Sequence, residues 1–142
     1  MQVVAGYTVL NDVTIRDWQQ AAPTMTMGKS WDSHCPMGPA LVTADEIADP
    51  YNLNVRLTVD GEERQNYNTG AMHFNIAQQI AYLSTAFTLL PGDVIATGTS
   101  AGVAMFMEGQ PWLTAGQTVR TEIDQLGHIE NTVVPDAESY IR

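Results

Sequence analysis

The sequence predicts a mainly β fold with one substantial helix, its sheet rolled or barrel-like rather than open and parallel. Three observations carry this. Leu53, Val55, Leu57 and Val59 alternate with polar residues and share one face of a strand. Asp60-Gly61 follows, a hairpin signal, because both residue types accept the positive φ of a tight primed turn. Ile76, Ile80, Leu83 and Phe87 recur at helical spacing, which makes residues 75–87 the best helix in the chain.

The remaining elements fall around these. Residues 3–10 are rich in β-branched and aromatic side chains and read as a strand, broken at Asn11-Asp12. Residues 13–20 are expected to form a short helix, with Asn11 or Asp12 as N-cap and Pro23 beyond its end. Gly28, Pro36, Gly38 and Pro39 make residues 24–39 irregular, and residues 40–43 resume as a short strand. Residues 62–68 are the return strand of the hairpin, polar enough to face solvent. Asn75 with Gln78 forms a capping box at the start of the long helix. Leu90-Pro91-Gly92-Asp93 turns the chain into a buried strand over 94–97, which ends in a small-residue loop at 98–102. Ala115-Gly116 is a further turn, and residues 118–123 and 129–133 form a final strand pair. No repeat or linker interrupts the 142 residues, so a single domain over 1–142 with one core is expected.

Composition narrows the function. Hydrophobic residues make up 44% and charged residues 15%, the balance of a folded chain. The formal net charge of -10 repels phosphate backbones, so nucleic acid is not an expected partner. No apolar run is long enough to cross a bilayer, and no membrane partner is expected. The single cysteine, Cys35, forms no intrachain disulfide, which points to the cytoplasm. Five of the six basic residues are arginines; the only lysine is Lys29, set between Gly28 and Ser30.

Three stretches carry groups suited to chemistry. Asp12 at a strand end is a carboxylate able to ligate a hard cation such as Mg²⁺ or Mn²⁺, or simply to cap a helix. If residues 13–20 are helical, Arg16 and Gln19 lie on neighbouring turns, and an arginine fork with an amide suits a substrate carboxylate. Lys29 can stabilise an oxyanion. The strand-end Gly98-Thr99 offers a hydroxyl and free backbone N–H groups, although a tight turn needing glycine is an equal explanation. His34 could line a site mouth. His73 and His128 lack metal-ligand spacing, and Cys35 beside His34 is a poor nucleophile–base pair because sequence neighbours diverge.

In order, Gly6-Tyr7-Thr8-Val9-Leu10-Asn11-Asp12-Val13-Thr14-Ile15-Arg16-Asp17, Gly28-Lys29-Ser30-Trp31-Asp32, Cys35-Pro36-Met37-Gly38-Pro39, Val42-Thr43-Ala44-Asp45-Glu46-Ile47 and Leu90-Pro91-Gly92-Asp93-Val94-Ile95-Ala96-Thr97-Gly98-Thr99 resemble the fumarylacetoacetate hydrolase family, in the C-terminal portion of its catalytic domain. The resemblance runs from about residue 6 to residue 133. It implies a mixed β-sandwich roll, usually dimeric, that binds Mg²⁺, Mn²⁺ or sometimes Ca²⁺. It implies hydrolysis or decarboxylation at carbon–carbon bonds of small oxo-acids of the acylpyruvate, fumarylacetoacetate or oxaloacetate type, or isomerisation of related enols. By the same resemblance Asp12 is a metal ligand, Arg16 and Gln19 bind substrate, and Lys29 and Thr99 are catalytic.

The departures matter too. The family's metal site also uses a Glu-x-Glu pair and a histidine–glutamate pair upstream of the Asn-Asp motif, and neither is present here. The fold is therefore expected to be incomplete at its N-terminus. Glu122-Ile123-Asp124 has the carboxylate spacing but matches a late strand and reads as surface. Gly70-Ala71-Met72-His73 lacks the acidic residue that many relatives carry before the Met. The rival expectation is a truncated or degenerate module, non-catalytic and self-associating.

Overall fold

The computed structural model describes residues 3–135. Six strands and two helices follow one another as β1 (Gly6–Leu10), α1 (Arg16–Gln20), β2 (Met37–Thr43), β3 (Asn54–Val59), β4 (Glu62–Asn68), α2 (Ile76–Ala86), β5 (Thr118–Ile123) and β6 (Gly127–Thr132). Short 3-10 turns lie at Thr26–Lys29, Thr69–Ala71 and Ala104–Phe106. One sheet has the order β4-β3-β5-β6, the other is the pair β1-β2, and every pairing among the described residues is antiparallel.

The predicted hairpin forms at the predicted place. Asp60 and Gly61 both take positive φ, and Val59 pairs with Glu62. Leu53, Val55 and Val59 are buried, as their alternation requires. The two sheets meet over Val9, Ile47, Leu53 and Leu126, with Tyr7, Val42, Ile123 and Ile129 packed around them. Fully burying a side chain of this kind contributes about 1.5–3 kcal/mol, so this cluster fixes β1 and β2 across the larger sheet. The α2 capping box is also present: Gln78 N–H donates to Asn75 Oδ1 at 2.9 Å, and Asn75 N–H donates to Gln78 Oε1 at 2.9 Å.

Four expectations are corrected. The first helix begins at Arg16, not at residue 13, and Ile15 occupies its N-cap without a side-chain bond. Asp12 caps nothing there, because Lys29 engages its carboxylate. The strand expected at 40–43 begins earlier, at Met37, since Leu10 pairs with Met37 and Val9 with Gly38. Residues 94–97 form no strand, and Val94 is 54% exposed; no neighbouring strand among the described residues offers them a ladder. In β4, predicted to face solvent, Arg64, Gln65 and Tyr67 are half-buried. Leu57 pairs with Gln65 but Thr58 with Glu63, so Arg64 is the extra residue of a β-bulge.

Candidate active site

Asp12 lies just past the end of β1. Asn11 N–H donates to the Pro36 carbonyl at 3.0 Å, which ties this strand end to the segment leading into β2. The chain then turns into α1, where Ile15 N–H donates to the Gly28 carbonyl at 2.9 Å. Gly28 is buried against α1, and a Cβ there would run into the Gln19 backbone and Cβ. Only glycine permits this approach, and it sets the 3-10 turn directly on the helix. Ser30 Oγ donates to the Thr26 carbonyl at 2.8 Å and closes that turn. Lys29, the last residue of the turn, thereby reaches Asp12, and its ammonium pairs with Oδ2. Both side chains are about two-fifths exposed, at 39% and 40%.

Arg16 and Gln19 are joined within α1, where Arg16 Nη1 donates to Gln19 Oε1. Gln19 is buried and orients the guanidinium from below. Arg16 Nε is buried with no hydrogen-bond partner among the described residues. A buried arginine N–H is rarely left unpaired, and its planar fork suits a carboxylate.

Asp12, Arg16, Lys29 and Thr99 line one open trough of about 2970 Å³, whereas Gln19 does not reach its surface. No direct contact joins Thr99 to the Asp12–Lys29 pair. The sheet face of Val55, Leu57, Val59 and Val119 forms one part of the trough, and Ile76, Ile80 and Leu83 of α2 form another. A small-molecule pocket usually measures about 300–1,000 Å³. The trough exceeds that range and is open to solvent.

On the far side, Thr99 is held by a residue that the sequence alone does not flag. Gln65 Nε2 donates to Thr99 Oγ1 at 2.7 Å. Only the bulge in β4 could have signalled it, and a bulge is not legible from the residues. His34 is among the residues lining the trough and stacks on Trp31, with ring centroids 6.2 Å apart. Burial, reinforced by the Asp12 charge, pushes the Cys35 thiol up, while Lys29 opposes this. That keeps it protonated and a weak nucleophile. Glu122 pairs with Arg120 and Asp124 accepts from Asn54, so both acidic groups serve the sheet.

Among the described residues, no group of three or more His, Cys, Asp or Glu side chains gathers where it could hold a metal. Asp12 fits as one hard oxygen ligand on the trough wall. A Mg²⁺- or Mn²⁺-type ion would draw its other ligands from water, substrate or further protein.

The family model for the fumarylacetoacetate hydrolase C-terminal region matches residues 1–134, and the chain belongs to the fumarylacetoacetate hydrolase family. Among its relatives, an oxaloacetate tautomerase from Xenopus laevis is 49% identical over 94% of this chain and 43% of its own length. A fumarylacetoacetate hydrolase structure from Exiguobacterium antarcticum superimposes with a TM-score of 0.88 at 39% identity, over 93% of this chain and 47% of that one. Maleylpyruvate hydrolase from Sphingobium sp. SYK-6, in complex with manganese(II) and pyruvate, gives a TM-score of 0.79 at 37% identity, over 94% and 45%. The chain spans less than half the length of these relatives.

Proposed function

We propose that this chain forms the carboxylate–lysine wall of a divalent-metal-dependent active site that stabilises the enolate of a small 2-oxo-acid. The observation that carries the reading is the Asp12–Lys29 pair on the trough, a carboxylate next to the chain's only lysine. Its relatives include an oxaloacetate tautomerase and a maleylpyruvate hydrolase, and the latter binds manganese(II) and pyruvate. Both named reactions pass through an enol or enolate of an oxo-acid. Keto–enol isomerisation of an oxaloacetate-type diacid is the reading we favour, because that relative is 49% identical. Carbon–carbon hydrolysis or decarboxylation of acylpyruvate-type substrates needs the same enolate, and water activation in addition.

The residues divide the work. Asp12 is one ligand of a Mg²⁺ or Mn²⁺ ion, and such an ion supplies Lewis-acid stabilisation of enolate charge when bound. Lys29 places its ammonium against the developing oxyanion. Arg16, held by Gln19, presents its guanidinium from the trough wall to the carboxylate of the substrate. Thr99 adds a hydroxyl donor from the opposite loop. A cytosolic, reducing compartment suits the single thiol.

The test is an ultraviolet assay of enol decay in oxaloacetate with Mn²⁺, on the protein in its natural full-length form. Turnover that chelation abolishes and Asp12→Ala removes supports the reading. Turnover indifferent to both overturns it.

The second reading is a self-associating, non-catalytic module. The chain exposes 9889 Å², whereas a compact monomer of its mass exposes about 7,200 Å². Phe87, Leu90 and Val94 are exposed along the trough. A homo-oligomer would cover this surface in either reading.

A further inference from the structure

We propose that Gln65 is the positioning residue of Thr99, aiming its hydroxyl proton into the trough and pinning the 98–102 loop to the sheet. This rests on Thr99 being the site's hydroxyl donor, and it goes further by naming what makes that hydroxyl a donor. The Gln65 amide nitrogen faces four oxygens: Thr99 Oγ1 at 2.7 Å, the Ala101 carbonyl at 3.2 Å, the Ser100 carbonyl at 3.3 Å and Ser100 Oγ at 3.4 Å. Two of these are carbonyls, which only accept, so the NH₂ end of the amide must point at the loop. Its two hydrogens serve the shortest contacts first. Once Thr99 Oγ1 accepts from Gln65, the proton on that oxygen is left free to donate elsewhere, and Thr99 lines the trough. A hydroxyl whose lone pair is already engaged is a ready donor to an oxyanion.

Two features of the backbone support the same conclusion. The bulge at Arg64 interrupts the regular alternation of β4 immediately before Gln65, and bulges re-aim side chains beside active sites. Gly102, at φ +97°, lies so close to β4 that a Cβ would run into the Arg64 carbonyl. Backbone contact at Gly102 and the amide fan of Gln65 therefore hold both the C-terminal end and the middle of the loop. Gly98, at φ +111°, has open space around its missing Cβ; just before it Gln79 Nε2 donates to the Thr97 carbonyl at 3.3 Å, and just after it Gln65 holds the Thr99 hydroxyl.

The discriminating variant is Gln65→Glu, which has the same shape but, when ionised, no proton to donate. Gln65→Met, an apolar replacement of similar length, guards against an effect of charge alone. In both, amide hydrogen exchange over residues 98–102 is expected to rise about tenfold or more, with β3 unchanged. In the full-length enzyme, kcat should fall about tenfold, a fraction of what losing a whole oxyanion donor costs, with little change in KM. In a Thr99→Val background, adding Gln65→Glu should cost less than about twofold, because the group it acts through is gone. Unchanged loop exchange overturns the proposal, and so does an undiminished Gln65→Glu effect in Thr99→Val. If the wild-type enzyme turns over no oxo-acid, the functional reading fails separately, and loop exchange alone still decides whether Gln65 pins Thr99.

Discussion

Lys29 pairs with Asp12 although the two lie on different elements, the end of a 3-10 turn and the exit of β1. The pair forms because Gly28 lets the turn sit on α1, so two motifs distant in sequence converge on one wall. A carboxylate that already faces an ammonium is poised for a cation, and a divalent ion would compete with Lys29 for it.

That competition has a measurable sign. Lys29→Met should raise Mn²⁺ affinity at least about threefold by removing the rival cation, while Asp12→Asn should lower it about tenfold or more. Titration followed by the paramagnetic resonance of free Mn²⁺ reads both. The fold should survive, because a half-exposed pair contributes only about 0.2–1 kcal/mol. In the full-length enzyme Lys29→Met should cost about a hundredfold in turnover, the scale of one oxyanion donor. Full turnover in Lys29→Met would make Lys29 a bystander.

Gly28→Ala tests the scaffold under the pair. The added Cβ meets Gln19 Cα, Cβ and N, none of which is the end of a flexible side chain. The cost should be about 1–3 kcal/mol, seen as a lower urea midpoint with an unchanged slope. Mn²⁺ binding should weaken as well, since Lys29 and Asp12 lose their alignment. A midpoint equal to the parent's would show that the turn stands off α1 in solution.

The proposed self-association can be tested at the exposed apolar surface. At micromolar concentration the 142-residue chain should sediment as an oligomer, and Val94→Asp or Phe87→Asp should shift it toward monomer. A clean monomer of the parent chain would count against the trough as an association face.

Alkaline pH should weaken the fold in a defined window. Burial raises the Tyr67 phenol above its ordinary value of 10.0, and burial followed by Tyr51 raises Tyr7. A raised folded-state value means the folded chain holds the proton more tightly than the unfolded one. The stabilisation is complete below about pH 10 and is lost as pH rises through the folded value. Tyr67→Phe should flatten the decline in thermal stability above pH 10, and an unchanged slope would remove Tyr67 from the account.

Local chemistry made much of this molecule legible in its residues. The alternation at 53–59, the Asp60-Gly61 turn and the Asn75–Gln78 capping box depend on neighbours a few positions away, and they appear where the sequence places them. The ordered motifs identified the family. Tertiary structure decided what sequence neighbours cannot. Asp12 answers to Lys29 and not to the helix beside it, Gln19 is buried beneath Arg16, and residues 94–97 stay unpaired because a strand exists only when another lies alongside. Gln65 was hidden for the same reason: polar residues alternating in a hairpin strand look like solvent surface. A bulge and a loop arriving from more than thirty residues away turn one of them onto Thr99.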